Sequence, residues 1–388
     1  MTTSSSPRPL HRFAIVSFDW LPAWTLSTWG ATWVATPAFD RLAARGVTLD
    51  AVMAPGDDAA ATLQAVFAEM CRRRGREGLA QSVLVTDSES LACGPLAAGF
   101  GQVVVEPAGA TRLCVAEEED ASLWHLFAAA ADAEAAVGRP GGLLWCHAGS
   151  LGVAWDAPLE FRDSLVDEDD PEPPRLAEIP FARLEADADP DLILGVRQAF
   201  AGQVMLADRM LGRLLDVLAE DREPWTVVVL GLRGMPLGLH GQLGFPPPAQ
   251  QGGGAGLLPY ADLVQMPVIV ADAAGRMAGQ RYGGLLTAED VGAFLCGELA
   301  GGGPSRLGQL LENWECLPRS QAVSQTAQGK TLVTDEWRLV VEHPRDSSEE
   351  TSLEPPPVRL FAKPDDFFEQ CDVADRCPGV VEDLLTQI

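Results

Sequence analysis

The sequence predicts an α/β protein: a mostly parallel central sheet flanked by helices, with a small C-terminal antiparallel α+β subdomain. Short apolar runs alternate with helical patterns over most of the 388 residues, and this alternation is typical of parallel sheets that are covered on both faces. Hydrophobic residues make up 47% of the chain and charged residues 21%. The chain can therefore bury a large core and does not have the composition of a disordered protein.

The first strand and the first helix have clear boundary signals. Residues 13–18 are rich in β-branched and aromatic side chains, which indicates a buried strand. Thr36 is a good N-cap, and Pro37 suits the first position of a helix. Gly46 is expected to end this helix at the usual C-terminal glycine position, and the next strand is expected at 47–53.

The same alternation continues along the main part of the chain. Helical patterns predict helices at 60–73, 121–137 and 192–220, with a further helix start at 287–290. Short apolar runs predict strands at 82–86, 102–106, 142–147, 226–230 and 268–271.

Changes in composition and residue pattern along the sequence predict the domain boundaries. After residue 320 the pattern becomes β-rich, so we predict a main α/β domain at 13–320 and an α+β subdomain at 321–388. Residues 1–12 are polar and predict a disordered tail. The acidic, proline-rich stretch 156–191 is expected to be a solvated surface excursion rather than an acidic partner-binding segment, and 245–256 is expected to be a loop.

Composition excludes several classes of function. Lys and Arg total 28 against 55 Asp and Glu, a net charge of −27, which disfavours binding to nucleic acid or to anionic membranes. The two lysines, Lys330 and Lys363, both lie near the C-terminus, so no mechanism can use a lysine from the main domain. The eight cysteines form no CxxC pair and are expected to be free thiols. No signal-like or membrane-spanning stretch is apparent, which predicts a cytoplasmic protein.

Several segments resemble sulfatases of the alkaline-phosphatase superfamily. Residues 36–47, TPAFDRLAARGV, resemble the helix that follows the first strand in that family. Further segments resemble the family in the same order: 15–19, 51–55, 144–147, 208–215, 226–241, 260–270, 334–339 and 359–361. The resemblance covers nearly the whole chain and implies the sulfatase fold.

The resemblance also implies a chemistry, and this chain departs from it at the metal site. Sulfatases hold a divalent cation with hard oxygen ligands and use a Cys or Ser nucleophile in a C/S-x-P-S-R motif. Asp19 matches the first metal-binding aspartate, but Trp20 stands where the second is expected. Leu232 and Arg233 stand where the family has a carboxylate and an Asn or His ligand. Asp19 is therefore interpreted as a vestigial metal ligand.

The nucleophile motif is not recognisable either. The best register places residues 59–63 there, with Thr62 as the one hydroxyl that could occupy the nucleophile position. His147 and His240 match family histidines, so Thr62, His147 and His240 are the candidate catalytic residues and Arg233 is a candidate for substrate binding. The alternative interpretation of His147 is a satisfied core histidine, and His240 could face either solvent or the pocket.

In the fold that the resemblance implies, the positions of Asp19 and Arg233 both face the metal, so an ion pair between them is expected in its place. A buried carboxylate without a cation is costly, and an arginine at this position would repel a divalent ion while supplying positive charge. We therefore expect neither Ca²⁺ nor Mg²⁺ as a cofactor unless the site is active.

These observations favour a sulfatase-like pseudoenzyme, a non-catalytic binding or regulatory module. Its partner would be a protein or an anionic small molecule. The alternatives are an active sulfuric-ester or phosphate-ester hydrolase with a rewired site, and another hydrolase or transferase for phosphorylated substrates on the same fold.

Overall fold

The structure, a computed structural model, describes residues 11–109, 111–138, 141–185, 187–245, 256–301, 303–314, 316–343 and 356–388. Residues 1–10 of the predicted tail and 246–255 of the predicted loop lie outside the described residues. Arg12, the last residue of the predicted tail, is buried in the first strand. The ordered chain therefore begins before residue 13.

Strands occur at nearly all the predicted positions. In the described part of the chain they are β1 (Arg12–Phe18), β2 (Val47–Met53), β3 (Val83–Thr86), β4 (Gln102–Val105), β5 (Leu143–Ala148), β6 (Ala182–Arg183), β7 (Trp225–Gly231), β8 (Gln242–Leu243), β9 (Gln265–Ala271), β10 (Gln280–Tyr282), β11 (Leu286–Thr287), β12 (Ala322–Gln325), β13 (Gly329–Val333), β14 (Trp337–Glu342) and β15 (Val358–Ala362).

Helices separate most of these strands. Those of the described residues are α1 (Pro37–Ala43), α2 (Ala59–Leu79), α3 (Glu89–Ala92), α4 (Ser122–Ala133), α5 (Leu159–Asp163), α6 (Pro190–Ala219), α7 (Ala261–Val264), α8 (Ala288–Ala300), α9 (Arg306–Asn313) and α10 (Pro378–Leu385). None of these helices is long and apolar enough to cross a bilayer.

The central sheet is mostly parallel, as predicted. Its strand order is β10-β2-β9-β7-β1-β5-β3-β4, with β11 paired to β2. Strand β9 pairs antiparallel with both of its neighbours, β2 and β7, whereas the other pairings are parallel. Strand β1 lies near the middle of the sheet, and all seven of its residues are buried.

Helices cover both faces of the sheet. Phe18 of β1 is paired with Ala148 of β5. Trp145 lies three positions before Ala148, and side chains alternate along a strand, so Phe18 and Trp145 point to opposite faces. Phe18 packs against Phe39 of α1 and Phe127 of α4. Trp145 stacks on Phe67 of α2 at a centroid distance of 4.0 Å. The core is therefore split into two layers by the sheet.

The C-terminal subdomain contains the predicted antiparallel sheet, in the order β12-β13-β14-β15. Two hydrogen bonds join this sheet to the segment that follows β2. Ser324 Oγ donates to the carbonyl of Ala54 at 2.5 Å, and the N–H of Gln325 donates to the carbonyl of Pro55 at 2.8 Å. These bonds hold the second sheet close to the carboxyl end of β2.

The prediction of a solvated excursion at 156–191 is wrong for part of the segment. The carboxylate of Asp156 is buried and accepts from the side chain of Gln203 at 3.1 Å. Arg162 is fully buried, and its guanidinium donates to the carbonyl of Leu176 at 2.9 Å. Other parts of the segment are exposed as expected, including residues 163–164, 167–169 and 174–176. Asp156 and Arg162 can be buried because a side-chain amide and backbone carbonyls supply their hydrogen-bond partners.

Gly46 does not end α1, contrary to the prediction. The helix ends at Ala43, and Gly46 has no positive φ angle. Instead, a Cβ atom at this position would lie 2.3 Å from the carbonyl oxygen of Val270 in the adjacent strand. Glycine is required because the backbones of the two strands approach each other closely here.

We expect Gly46→Ala to lower the free energy of unfolding by about 1–3 kcal/mol, because the added methyl group meets immobile backbone. The matched control is Gly379→Ala in α10, where an added Cβ meets no atom within 4 Å and no loss is expected. Urea denaturation of both variants measures the difference, and equal stabilities would contradict this packing.

Candidate functional site

An ion pair links the carboxyl ends of the neighbouring strands β1 and β7. Asp19 follows β1 directly, and Arg233 lies two residues after β7. Because β1 and β7 are neighbouring parallel strands, both residues reach the edge of the sheet where ligands usually bind. Nε of Arg233 donates to Asp19 Oδ1 at 2.8 Å, and Nη2 donates to Oδ2 at 2.9 Å. The predicted pair is therefore present and is bidentate.

Further contacts fix both partners of this pair. The backbone N–H of Trp20 donates to Asp19 Oδ1 at 3.0 Å, and Nη1 of Arg233 donates to the carbonyl of Asp57. The side chains of Arg233 and Asp19 are only 19% and 12% exposed. Burial raises the pKa of the nearby Asp57 carboxyl, and the charge of Arg233 partly offsets this rise.

Trp20 lies against the ion pair. The guanidinium carbon of Arg233 lies 3.7 Å from the centre of the Trp20 ring, and the ring of Phe245 stacks on the same indole at 3.9 Å and 6°. Two groups cannot occupy the same space, so they lie on opposite faces of the indole. Trp20 adopts a φ of 62°, a backbone conformation that is unusual for a bulky residue. The indole of Trp20 and the guanidinium of Arg233 together fill the space beside Asp19.

Leu232, which stands at a family carboxylate position, is fully buried and apolar. Of the four positions that resemble metal ligands, Asp19 alone offers a carboxylate, and both of its oxygens are bound to Arg233. In the described residues no group of three or more His, Cys, Asp or Glu side chains could hold a metal ion.

Thr62 lies in the first turn of α2, and its side chain is fully buried. Its hydroxyl donates to the carbonyl of Asp58 at 3.3 Å, a bond to the preceding turn that is common for threonine in helices. The hydroxyl proton is thus directed to the backbone of its own helix.

His147 occupies the end of β5, in a buried hydrogen-bond chain. Its Nδ1 lies 2.9 Å from Ser17 Oγ, and the indole Nε1 of Trp145 donates to the same oxygen at 2.9 Å. Because an indole N–H can only donate, the hydroxyl hydrogen of Ser17 is free to bind Nδ1 of His147. Burial lowers the pKa of His147, although the carboxylate of Asp87 opposes this. A neutral, satisfied core histidine fits this geometry.

Asp87 belongs to the same edge of the sheet and was missed at the sequence level. It follows β3, which neighbours β5, and its two carboxylate oxygens accept the N–H groups of Gly149 at 2.6 Å and Ser150 at 2.9 Å. Burial raises the pKa of Asp87, and His147 opposes the rise. Its position directly after the predicted strand 82–86 was the signal that could have identified it.

His240 lies in a separate place, packed against the C-terminal subdomain. Its ring stacks on Tyr260 at 3.8 Å and 11°, inside a cavity of about 320 Å³ that Arg359 and Glu342 also line. Among the described residues, those that line this cavity include none of Asp19, Thr62, His147 and Arg233. His240 is thus separated from the other candidate site residues.

Three solved structures are similar to this chain over nearly its full length. A protein solved with its substrate D-glucosamine-2-N,6-O-disulfate matches with a TM-score of 0.69 and 12% identity, over 98% of this chain and 96% of that one. A 2-O GAG sulfatase matches with a TM-score of 0.68 and 14% identity, over 97% and 90%. A phosphonate monoester hydrolase of Agrobacterium radiobacter matches with a TM-score of 0.63 and 16% identity, over 98% and 95%. This chain has the sulfatase fold.

No protein-family model matches the sequence, and no curated protein matches it. The likeness to solved sulfatases therefore rests on the fold, and the chemistry has to be argued from the residues. The donor set at the sheet edge does not fit the divalent cation that the sulfatase resemblance implies. A hard cation needs several oxygen ligands, whereas Asp19 is engaged by a guanidinium and Trp20 and Leu232 offer no oxygen.

We expect Asp19→Asn to destabilise the protein by about 3 kcal/mol, because it leaves the half-buried Arg233 cation without its carboxylate. The control is Asp216→Asn, which breaks the exposed Arg41–Asp216 pair and should cost less than about 0.5 kcal/mol. Both are measured by urea denaturation. Equal losses would contradict a structural role for the Asp19–Arg233 pair.

We also expect His240 to make stability depend on pH. Burial lowers the pKa of His240 to about 4, so between about pH 6.5 and pH 4 the unfolded chain binds a proton that the folded chain does not. The free energy of unfolding should fall as the pH decreases through this range, and it should fall less steeply in His240→Gln. Denaturation at a series of pH values measures the slope. The exposed His125 supplies the control variant His125→Gln, and equal slopes for the two variants would contradict this origin.

Proposed function

We propose that this chain is a sulfatase-fold protein that does not hydrolyse sulfate or phosphate esters and acts as a binding or regulatory module. The observation that carries the proposal is the bidentate Asp19–Arg233 pair at the carboxyl end of β1 and β7. This is the edge at which parallel sheets bind their ligands. The partner we propose is a protein or an anionic small molecule.

The first argument is that the guanidinium of Arg233 is not available to an ester at this edge. Ester hydrolysis requires fixed positive groups that stabilise the developing negative charge. Arg233 is neutralised by Asp19, and its remaining donor is directed to the carbonyl of Asp57. An ester oxygen would have to displace a bidentate carboxylate before it could use this guanidinium.

The second argument concerns the nucleophile. A hydroxyl becomes nucleophilic when a base lies within hydrogen-bond reach. The hydroxyl of Thr62 donates to a backbone carbonyl, His147 is engaged with Ser17, and His240 stacks on Tyr260 in a different cavity. These contacts favour structural roles for all three residues.

The test is a panel of aryl sulfates, aryl phosphates and phenylphosphonate esters, each assayed with and without Ca²⁺, Mg²⁺ and Mn²⁺. We expect no turnover above that of the denatured protein, and any residual rate should be the same in Thr62→Val, His147→Gln and His240→Gln. Metal-dependent turnover that one of these variants abolishes would overturn the proposal in favour of a hydrolase with a rewired site.

A gain-of-function variant provides a second readout. Replacing Trp20, Leu232 and Arg233 by the residues that sulfatases use at these positions (W20D, L232D and R233N) frees Asp19 and adds two carboxylates and an amide. We expect calorimetry to detect Ca²⁺ binding in this variant and none in the natural sequence. Stoichiometric Ca²⁺ binding by the natural sequence would contradict the interpretation of Asp19 as a vestigial ligand.

A further inference from the structure

A cavity of about 650 Å³ lies between the central sheet and the C-terminal subdomain, within the size range of small-molecule sites. Met53, the last residue of β2, and Gln265, the first residue of the antiparallel strand β9, both line it. It therefore follows the edge at which the parallel strands end and ligands usually bind. Neither Asp19 nor Arg233 lines it, so a ligand here is independent of any chemistry at that ion pair.

The cationic side chains that line this cavity are paired within the protein. Nε of Arg338 lies 2.6 Å from Oε1 of Glu369, and Nζ of Lys363 lies 2.8 Å from the same oxygen. Arg281 forms a pair with Asp50 at 2.5 Å. These contacts supply each of the three cations with a carboxylate.

The neighbouring carboxylates leave no excess of positive charge. Burial lowers the pKa of Lys363, and the carboxylates of Glu369 and Asp366 both oppose this fall. Asp335 adds a further carboxylate at the exposed rim of the cavity, where water and salt screen its charge. The three cations therefore meet four carboxylates, so the described residues offer an anionic ligand no unbalanced positive charge.

Polar groups of the walls are also engaged within the protein. The side-chain amide of Gln265 donates to a backbone carbonyl of β2 at 2.7 Å, and the hydroxyl of Thr334 accepts a backbone N–H at 3.0 Å. The ammonium of Lys363 donates to two backbone carbonyls. Nε1 of Trp29 has no partner among the described residues, but it is inaccessible to solvent and cannot reach a ligand. These groups therefore do not favour a strongly polar ligand.

The accessible surface of the walls is mainly apolar. The half-buried ring of Phe367 contributes to it and packs edge-on against the ring of Phe368 at a centroid distance of 5.1 Å. Gly283 leaves open space, because a Cβ added there would meet no atom within 4 Å. Other apolar lining residues are Trp29, Ala51, Leu285, Pro318, Val333 and Pro364. Burial of apolar ligand surface against these walls is favourable in proportion to its area.

We propose that this cavity binds a small uncharged molecule with an apolar, ring-containing body. An ionised ligand would lose its hydration here without gaining a free counter-charge, whereas an uncharged ligand loses little. The ring of Phe367 favours a ligand that itself carries a ring, because aromatic pairs are stabilised in edge-to-face and offset-stacked arrangements. This class of ligand differs from the protein or anionic molecule proposed above, so the cavity is a second site.

The test is isothermal titration of the full chain with two uncharged probes, indole and 2-naphthalenemethanol. Two charged probes with the same ring system, 2-naphthoate and 2-naphthylmethylamine, are titrated for comparison. We expect saturable binding of an uncharged probe at one site per chain, and binding of both charged probes that is weaker by about tenfold or more, because ionised groups are costly to desolvate. Absence of saturable binding for both uncharged probes, or equal or tighter binding of either charged probe, would overturn the proposal.

Two adjacent phenylalanines provide a matched pair of variants. Phe367 lines this cavity, whereas Phe368 lines a smaller neighbouring cavity and not this one. Phe367→Ala should weaken binding of 2-naphthalenemethanol by about tenfold, because it removes an aromatic contact and the apolar surface that comes with it. Phe368→Ala should leave the affinity unchanged. Equal affinities in the two variants would place the probe elsewhere and overturn the proposal.

Gly283→Leu tests the location of the site without removing any contact. It places a side chain at the wall of the cavity where an added Cβ meets no atom within 4 Å, so probe binding should be lost while the circular dichroism spectrum stays that of the natural protein. The control is Gly379→Leu in α10, where an added Cβ also meets no atom. Unchanged affinity in folded Gly283→Leu would overturn the proposal, and this pair decides the question should Phe367→Ala fail to fold.

Discussion

The bidentate pair of Asp19 and Arg233 joins the carboxyl ends of β1 and β7, and the indole of Trp20 packs on its guanidinium. Strand β1 is buried along its full length, so its last carboxylate emerges where little water can solvate it. A charge in this position requires a cation. The guanidinium meets the requirement with two parallel hydrogen bonds, which is the geometry in which Arg pairs most strongly with a carboxylate.

A guanidinium and a divalent cation make different demands on their surroundings. The metal carries two charges and needs several oxygen ligands, whereas the guanidinium carries one charge and has a flat face that packs well against an aromatic ring. The residues at three positions of the resemblance are consistent with this difference. Arg233 stands at a position that resembles a ligand position of sulfatases, Trp20 stacks on its face, and Leu232 is buried.

The C-terminal subdomain contains a different arrangement of charges from the one-to-one Asp19–Arg233 pair. At the sheet edge one cation meets one carboxylate, whereas Arg338 and Lys363 share a single oxygen of Glu369. The chain as a whole carries a charge of −27, and Asp366 adds further negative charge near Lys363. One of only two lysines in the sequence is placed in this cluster.

Local patterns in the sequence determined the α/β class and most strand positions, because apolar runs specify the strands. The Asp19–Arg233 pair was predicted from the resemblance to sulfatases, in whose fold both positions face the metal. The tertiary structure alone decided the surroundings of Thr62, His147 and His240, the inward folding of Asp156 and Arg162, and the strand contact at Gly46. It alone also brought Trp29 and Met53 to a common cavity with Arg338 and Lys363. Such contacts join residues that are far apart in the chain, and no local pattern encodes which side chains long-range packing will place side by side.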